Sequence, residues 1–230
     1  MVLDAIAHAD WKRPLCFAVT SGSEAFMGLE KYFQLQGMVF LLTPIKNPAS
    51  NARENPRVGT DQMYNNMMNK FHWGNMGTGL YLDENIRRMA TELRYQSSTL
   101  ADALIGEHKK DSALKVLNLC MDSISAESCP YDGSVVMIAR CYYQAGDFTK
   151  GNALAEKLFN TYEKDLIYYN TLTGVYASYY SDETQQFELI LEQLAYYTQL
   201  YKQGAQEKEF QGRLEKLDKL GLLKGQQQRQ

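Results

Sequence analysis

Apolar and polar positions change period once along this chain, near residue 59. Before that point the apolar residues come in short blocks. "LCFAVTSG" (15–22) and "GMVFLLTPI" (37–45) join apolar and β-branched residues and close on Gly, Ser or Pro, which predicts two strands. Between them "SEAFMGLEKYFQLQ" reads as helical or irregular. Ahead of them "LDAIAHA" is a short amphipathic helix, ended by a turn at "DWKRP". Two strands around a helical connector suggest a small α/β unit with a parallel pair. "KNPASNARENPRVG" (46–59) is rich in Pro, Asn and Arg, has no period, and predicts a loop.

From Thr60 onward the period is helical. Thr60 or Asp61 suits the start of a helix running to about His72, with Gly74 past its end. Asp83 suits the cap of a long helix through "ENIRRMATELRYQSSTLADALIGEHKK". Five more helical stretches follow, the last being "EKEFQGRLEKLDKLG". An offset of 38 residues aligns Leu100 with Ile138, Ala101 with Ala139, Leu104 with Tyr142, Ala113 with Gly151 and Cys120 with Leu158. That offset is near the roughly 34 residues of tetratricopeptide repeats, whose small residues let the two helices of a hairpin approach. A third, degenerate hairpin turns at Gly204. The expected fold is mainly α: a small N-terminal α/β segment (1–58), a tetratricopeptide-like α-α superhelix (59–222) and a disordered tail (223–230).

Charge and composition narrow the function. A net charge of −3 and a pI near 5.7 show no basic stripe, which argues against nucleic acid as a partner. No apolar run approaches the roughly 20 residues that span a bilayer, and "MVLDAIAHAD" lacks a basic leader region, so the expectation is a soluble piece. Cys16, Cys120, Cys129 and Cys141 form no CxxC pair, and His8, His72 and His108 lie in separate segments, so neither metal nor cofactor is expected. Cys120 and Cys141 read as small buried apolar residues; a disulfide through Cys129 would need an oxidising compartment.

Catalytic motifs leave little trace. There is no GxSxG elbow, no GxGxxG after a strand and no Walker loop. "GNMGTG" (74–79) follows a helix and reads as a flexible connection, and "TSGSEAFMG" offers at most a backbone anion contact. Tyrosine concentrates at 165–183 and 194–201, either as packing between helices or as an aromatic contact surface.

The least ordinary stretch is "TDQMYNNMMNKFHWGNMGTGLYLDE" (60–84). Met63, Met67 and Phe71 share a helical stripe with Tyr64 and Met68, which accounts for them as core. Three asparagines in one helix are not explained by periodicity, because Asn is a poor helix former. Two readings stand. In one, Asn and Trp73 clamp the helix to the 46–59 loop. In the other, Lys12, Arg13, Tyr64, Asn65, Lys70 and Trp73 form a pocket, with Lys12 and Arg13 attracting an anion and Trp73 stacking on a sugar.

"DWKRPLCFAVT", "LEKYFQLQGMVFLLTPIK", "VGTDQMYNNMMNKFHWGNM" and "YLDENIRRMATELR" together resemble the soluble C-terminal region of a Bacteroidetes family of multi-pass membrane proteins. That family carries a domain of unknown function and is related to protein O-mannosyltransferases of the GT-C type. The resemblance implies a noncatalytic module on the periplasmic side of the inner membrane, binding a protein or glycan acceptor, with catalysis in a membrane half outside this sequence. No catalytic residue carries over from it. Without the resemblance, the expectation is a cytoplasmic protein.

Overall fold

The computed structural model describes residues 2–9, 11–48 and 57–223. It is mainly helical, with ten α-helices and one four-stranded sheet among the described residues. The chain divides into two compact units, residues 1–129 and 130–230.

The first unit opens with α1 (Val2–Ala9), β1 (Cys16–Ala18), α2 (Ser23–Phe26), β2 (Phe33–Leu35), β3 (Val39–Leu42) and β4 (Arg57–Val58). Sheet order is β1-β3-β2-β4. The two predicted strands, β1 and β3, pair antiparallel, with Phe17 opposite Phe40. The parallel pair lies elsewhere, between β2 and β4. Both of these strands fall where no strand was predicted: β2 inside "KYFQLQ", and β4 at the end of the segment read as loop. β2 escaped notice because Phe33 and Leu35 alternate with Gln34 over only three residues. Alternation puts Phe33 and Leu35 on a buried face, and Phe26, Phe33 and Phe40 pack there with rings 5.2–6.0 Å apart. Each such ring, once buried, contributes about 1.5–3 kcal/mol. Of the 46–59 loop, residues 49–56 lie outside the described residues. Its flanks are tied down: Asn47 is buried, and Arg57 donates to Thr43 Oγ1 at 2.8 Å.

Helices α3 (Thr60–Asn69), α4 (Glu84–Gly106) and α5 (Lys110–Ser123) complete this unit. Asp83 caps α4 as expected, accepting from the Ile86 amide at 3.0 Å. The α3 start is pinned to the α4 end: Thr60 Oγ1 donates to Glu107 Oε1 at 2.9 Å, and Lys109 Nζ lies 2.9 Å from both Asp61 and Glu107 carboxylates. The hairpin of α4 and α5 closes around Arg94, which is fully buried. Its Nη2 donates to the Cys129 carbonyl at 2.7 Å and to the Ile124 carbonyl at 3.4 Å, while Nη1 reaches Cys129 Sγ at 3.5 Å. One guanidinium thereby organises the chain that leaves α5.

In the second unit, α6 (Gly133–Ala145), α7 (Phe148–Tyr169), α8 (Val175–Tyr179), α9 (Ser181–Leu200) and α10 (Gly204–Lys219) follow in order. Asp132 and Asp147 cap α6 and α7 through the Ser134 and Lys150 amides. The positions aligned at the 38-residue offset are buried in both hairpins: Leu100, Ala101, Leu104, Ala113 and Cys120 in one; Ile138, Ala139, Tyr142, Gly151 and Leu158 in the other. α10 is fastened to α7. Phe159 and Phe210 stack at 4.2 Å, Arg213 lies 4.4 Å over Phe159, and its guanidinium holds Glu156, Asn160 and Glu163 at 3.2, 2.6 and 2.5 Å. Leu223, placed in the expected tail, is buried, and 224–230 lie outside the described residues.

All four cysteines are free thiols: Cys16 is exposed, and the other three are buried. Burial pushes the Cys120 thiol up to about 11. An aromatic disulfide reagent at about pH 8 is therefore expected to modify one thiol promptly and four after denaturation, with the prompt reaction lost in Cys16→Ser. Prompt modification of two or more native thiols would contradict this burial. Arg94→Met keeps the aliphatic stem but strands two carbonyls, so its urea midpoint should fall by the equivalent of about 3 kcal/mol with an unchanged slope.

Candidate functional site

The 60–73 segment folds as α3 and an irregular exit. Met63 and Met67 are buried, as their spacing predicts. The three asparagines divide into two jobs. Asn69 donates to Asn65 Oδ1 one turn away at 2.9 Å, a surface pair. Asn66 turns inward and donates to the Gln36 carbonyl at 3.1 Å, in the turn that joins β2 to β3. The next residue of that turn, Gly37, has φ 111°, a conformation that favours glycine, and a Cβ there would sit 2.8 Å from the Phe71 ring. α3 is therefore clamped to the sheet through Asn66 and Phe71. The described partner of the clamp is the 36–38 turn.

Phe71 and Trp73 lie 6.4 Å apart, tilted by 55°. Trp73 is half-buried, and its Nε1 is buried with no hydrogen-bond partner among the described residues. Tyr64 and Asn65 are half-buried; Lys70 is exposed just past the helix end. Lys12 and Arg13 are exposed on the turn between α1 and β1. A polar cleft of about 530 Å³ does open at the start of α3, lined by Gln34, Gln36, Val58, Gly59, Thr60, Asp61 and Gln62. None of the six predicted pocket residues lines it. Its volume suits a small molecule, for which sites run about 300–1,000 Å³. Its chemistry does not, because among the described lining residues Asp61 is the one ionisable group and it already pairs with Lys109. A second cavity, of about 340 Å³, is lined by Thr20, Asn85, Arg88, Met89 and Glu92, again without those six.

Two glycine-bearing motifs resolve as packing. A Cβ on Gly77 would meet the Asp122 carbonyl oxygen at 2.6 Å, so "GNMGTG" is a close passage against the end of α5 rather than a free connection. α2 is only four residues long, and the Glu24 carboxylate folds over its start, 2.7 Å from where a Gly22 Cβ would stand. An anion meets a carboxylate there.

The tyrosines in and before the tyrosine-rich stretches divide between core and surface. Tyr143 and Tyr162 are core; Tyr143 Oη donates to Asn152 Oδ1 at 2.9 Å and its ring stacks on Tyr201 at 5.3 Å. Burial pushes the Tyr143 hydroxyl well above its usual pKa. Tyr168, Tyr176 and Tyr179 instead stand exposed, at 62%, 68% and 72%. Tyr168 and Tyr179 end a series of rings at near-right angles, Tyr168 to Tyr169 at 5.6 Å, Tyr169 to Tyr180 at 5.0 Å and Tyr180 to Tyr179 at 4.9 Å, and Tyr176 precedes Tyr179 by three residues on α8. Phe187 braces Tyr169 from below at 5.4 Å and packs on buried Tyr162 at 5.5 Å. Sequence reasoning singled out the stretch but not these residues. Helical spacing on α7 could have set Tyr162 and Leu166 inward and Tyr168 outward; it carries no signal for Tyr176 and Tyr179, whose short helix buries nothing.

The clamp makes distinct forecasts for neighbouring residues. Asn66→Ala should cost about 1–2 kcal/mol by leaving the Gln36 carbonyl without its donor, whereas Asn65→Ala on the surface should stay within about 0.5 kcal/mol. Thermal midpoints of the two variants measure the difference; equal values would remove Asn66 from the clamp.

Residues 1–62 match the family model of TMEM260-associated domain 2. That stretch spans α1, the whole sheet and the first turn of α3. No curated protein and no solved structure matches the chain. No described helix is long and apolar enough to cross a membrane. The match relates the N-terminal 62 residues to a TMEM260-like, O-mannosyltransferase-related region.

Proposed function

We propose that this chain is a noncatalytic interaction module attached to a glycosyltransferase-like membrane protein. In this reading it works on the periplasmic side of the inner membrane of a Bacteroidetes cell, as the C-terminal region of the parent protein. Its helical hairpins act as tetratricopeptide-like units that dock a protein or the protein portion of a glycan acceptor. The observation that carries the reading is the ring-braced, exposed tyrosine surface formed by α7, α8 and α9. Aromatic residues are enriched where proteins bind one another, because they offer large contact area at small entropic cost. The match of residues 1–62 to TMEM260-associated domain 2 supports the link to the membrane family.

A second reading, a sugar- or anion-binding pocket around α3, is favoured by one observation. The Trp73 Nε1 is buried without a hydrogen-bond partner, which a ligand oxygen would satisfy. The two readings separate in one experiment. A photo-crosslinking amino acid placed at Tyr176 or Tyr179, in cells making the full parent protein, should yield a discrete protein adduct, and the same group at Tyr64 or Lys70 should not. Thermal midpoints with neutral glycans and sugar phosphates should stay flat. A ligand at 100 times its dissociation constant adds about 2.7 kcal/mol, so a site would be visible. A rise that Trp73→Ala removes, with no adduct at Tyr176 or Tyr179, would overturn the module in favour of the pocket.

A further inference from the structure

The tyrosine surface has a charge as well as a shape. From Asp165 to Tyr201 the sequence holds five acids, Asp165, Asp182, Glu183, Glu192 and the buried Glu188, and no Lys, Arg or His. Across the whole chain Lys and Arg number 24 against 27 acids, so 37 consecutive residues without a base stand out; the exposed Lys164 precedes them on α7 and is set over none of these rings. Asp182 and Glu183 lie in the first turn of α9, where the helix dipole favours acids. That accounts for their position, not for the missing cations. Desolvation, then the neighbouring Tyr180, Asp165 and Glu183, raise the Tyr169 hydroxyl above its usual pKa, so these acids act on the ring cluster itself.

Elsewhere the protein fills such aromatic faces with its own cations. Lys150 lies 5.9 Å from the Tyr142 centroid and Arg213 lies 4.4 Å from that of Phe159. Among the described residues, none sets a cation over Tyr168, Tyr169, Tyr176, Tyr179 or Tyr180. Tyr179 and Tyr180 meet at 85°, and Tyr169 and Tyr180 at 80°, so successive rings form corners. A ring face attracts a cation within about 6 Å of its centroid, and two rings set as a corner surround one. Carboxylates at the rim add long-range attraction without occupying the corner.

Resting on the interaction reading above, we infer that the tyrosine surface receives an arginine- or lysine-bearing segment of the partner, its cationic heads seated between the rings of Tyr169, Tyr176, Tyr179 and Tyr180. A neutral glycan would use the same rings but would gain nothing from the acids or from the missing bases. An anionic membrane surface would be repelled by them.

The test uses the full chain and a fluorescein-labelled peptide of four Gly-Arg repeats, read by fluorescence anisotropy. Its controls are the citrulline peptide of equal length and labelled maltohexaose. The arginine peptide should bind at least tenfold more tightly than the citrulline peptide, and maltohexaose should not bind. Tyr176→Ala with Tyr179→Ala, and separately Asp182→Asn with Glu183→Gln, should each weaken binding at least fivefold. All four positions are outside the core, so both variants should fold. Tyr81→Ala, at another exposed tyrosine, should leave affinity unchanged. Equal binding of the citrulline peptide, full affinity in the tyrosine variant, or maltohexaose binding in place of arginine would overturn the inference. If the arginine peptide fails while photo-adducts at Tyr176 persist, the cationic partner falls and the interaction module stands. If both fail, both fall.

Discussion

A single buried guanidinium governs how the first unit ends. Arg94 gives up its hydration entirely, a large cost for a cation, and recovers it from the Ile124 carbonyl at the close of α5 and the Cys129 carbonyl beyond it. The position suits the charge. The last carbonyls of a helix have no partners within it and carry the negative end of its dipole, and a planar fork of donors reaches one of them, at the Ile124 cap, together with Cys129 in the chain that follows. Lysine could not reproduce that fork. The Cys129 thiol sits in the same nest, near Thr91 and the Arg87 carbonyl, which keeps the residues after α5 folded back onto α4.

In the second unit the comparable role falls to groups near the surface. Arg213 stacks on Phe159 and satisfies three acceptors of α7, while Asn152 links Tyr143 to Gln203 and accepts Gln206 at its carbonyl. Together they fix α10 and the turn before it against α7. Phe187 of α9 packs on both the buried Tyr162 and Tyr169 of α7, and Tyr169 in turn meets Tyr180, so the ring series is anchored to the core at one end. Rigid aromatic edges lose little entropy when a partner arrives, which is the physical basis for reading them as a contact surface.

Much of the architecture was legible in periodicity. The helical region from Thr60, the Asp83 cap, the Met63–Met67 stripe and the buried small residues Ala101, Ala113 and Ala139 all follow from local pattern. Strands β2 and β4 were not legible, because three and two residues carry too little alternation to separate them from a loop. Pairing partners decide such segments: Leu35 meets Phe40 and Val58 only once the chain has folded back. The role of Asn66 was hidden for a similar reason. Asn65, Asn66 and Asn69 look alike in sequence, and only the approach of the Gln36 carbonyl distinguishes one of them. The outward tyrosines could be suspected from composition, but which of them remain exposed depends on how α8 and α9 turn back after α7.

The clamp between α3 and the 36–38 turn also bears on where this protein can be cut. The stretch that matches the family model stops at Gln62, one residue before Met63 and four before Asn66. A fragment ending there would keep every strand yet lose both buried methionines, the Phe71 ring over Gly37 and the donor to the Gln36 carbonyl. Sequence similarity and physical self-sufficiency therefore have different borders in this molecule. The matched stretch marks a similarity, while the smallest piece that keeps the clamp must reach at least through Phe71.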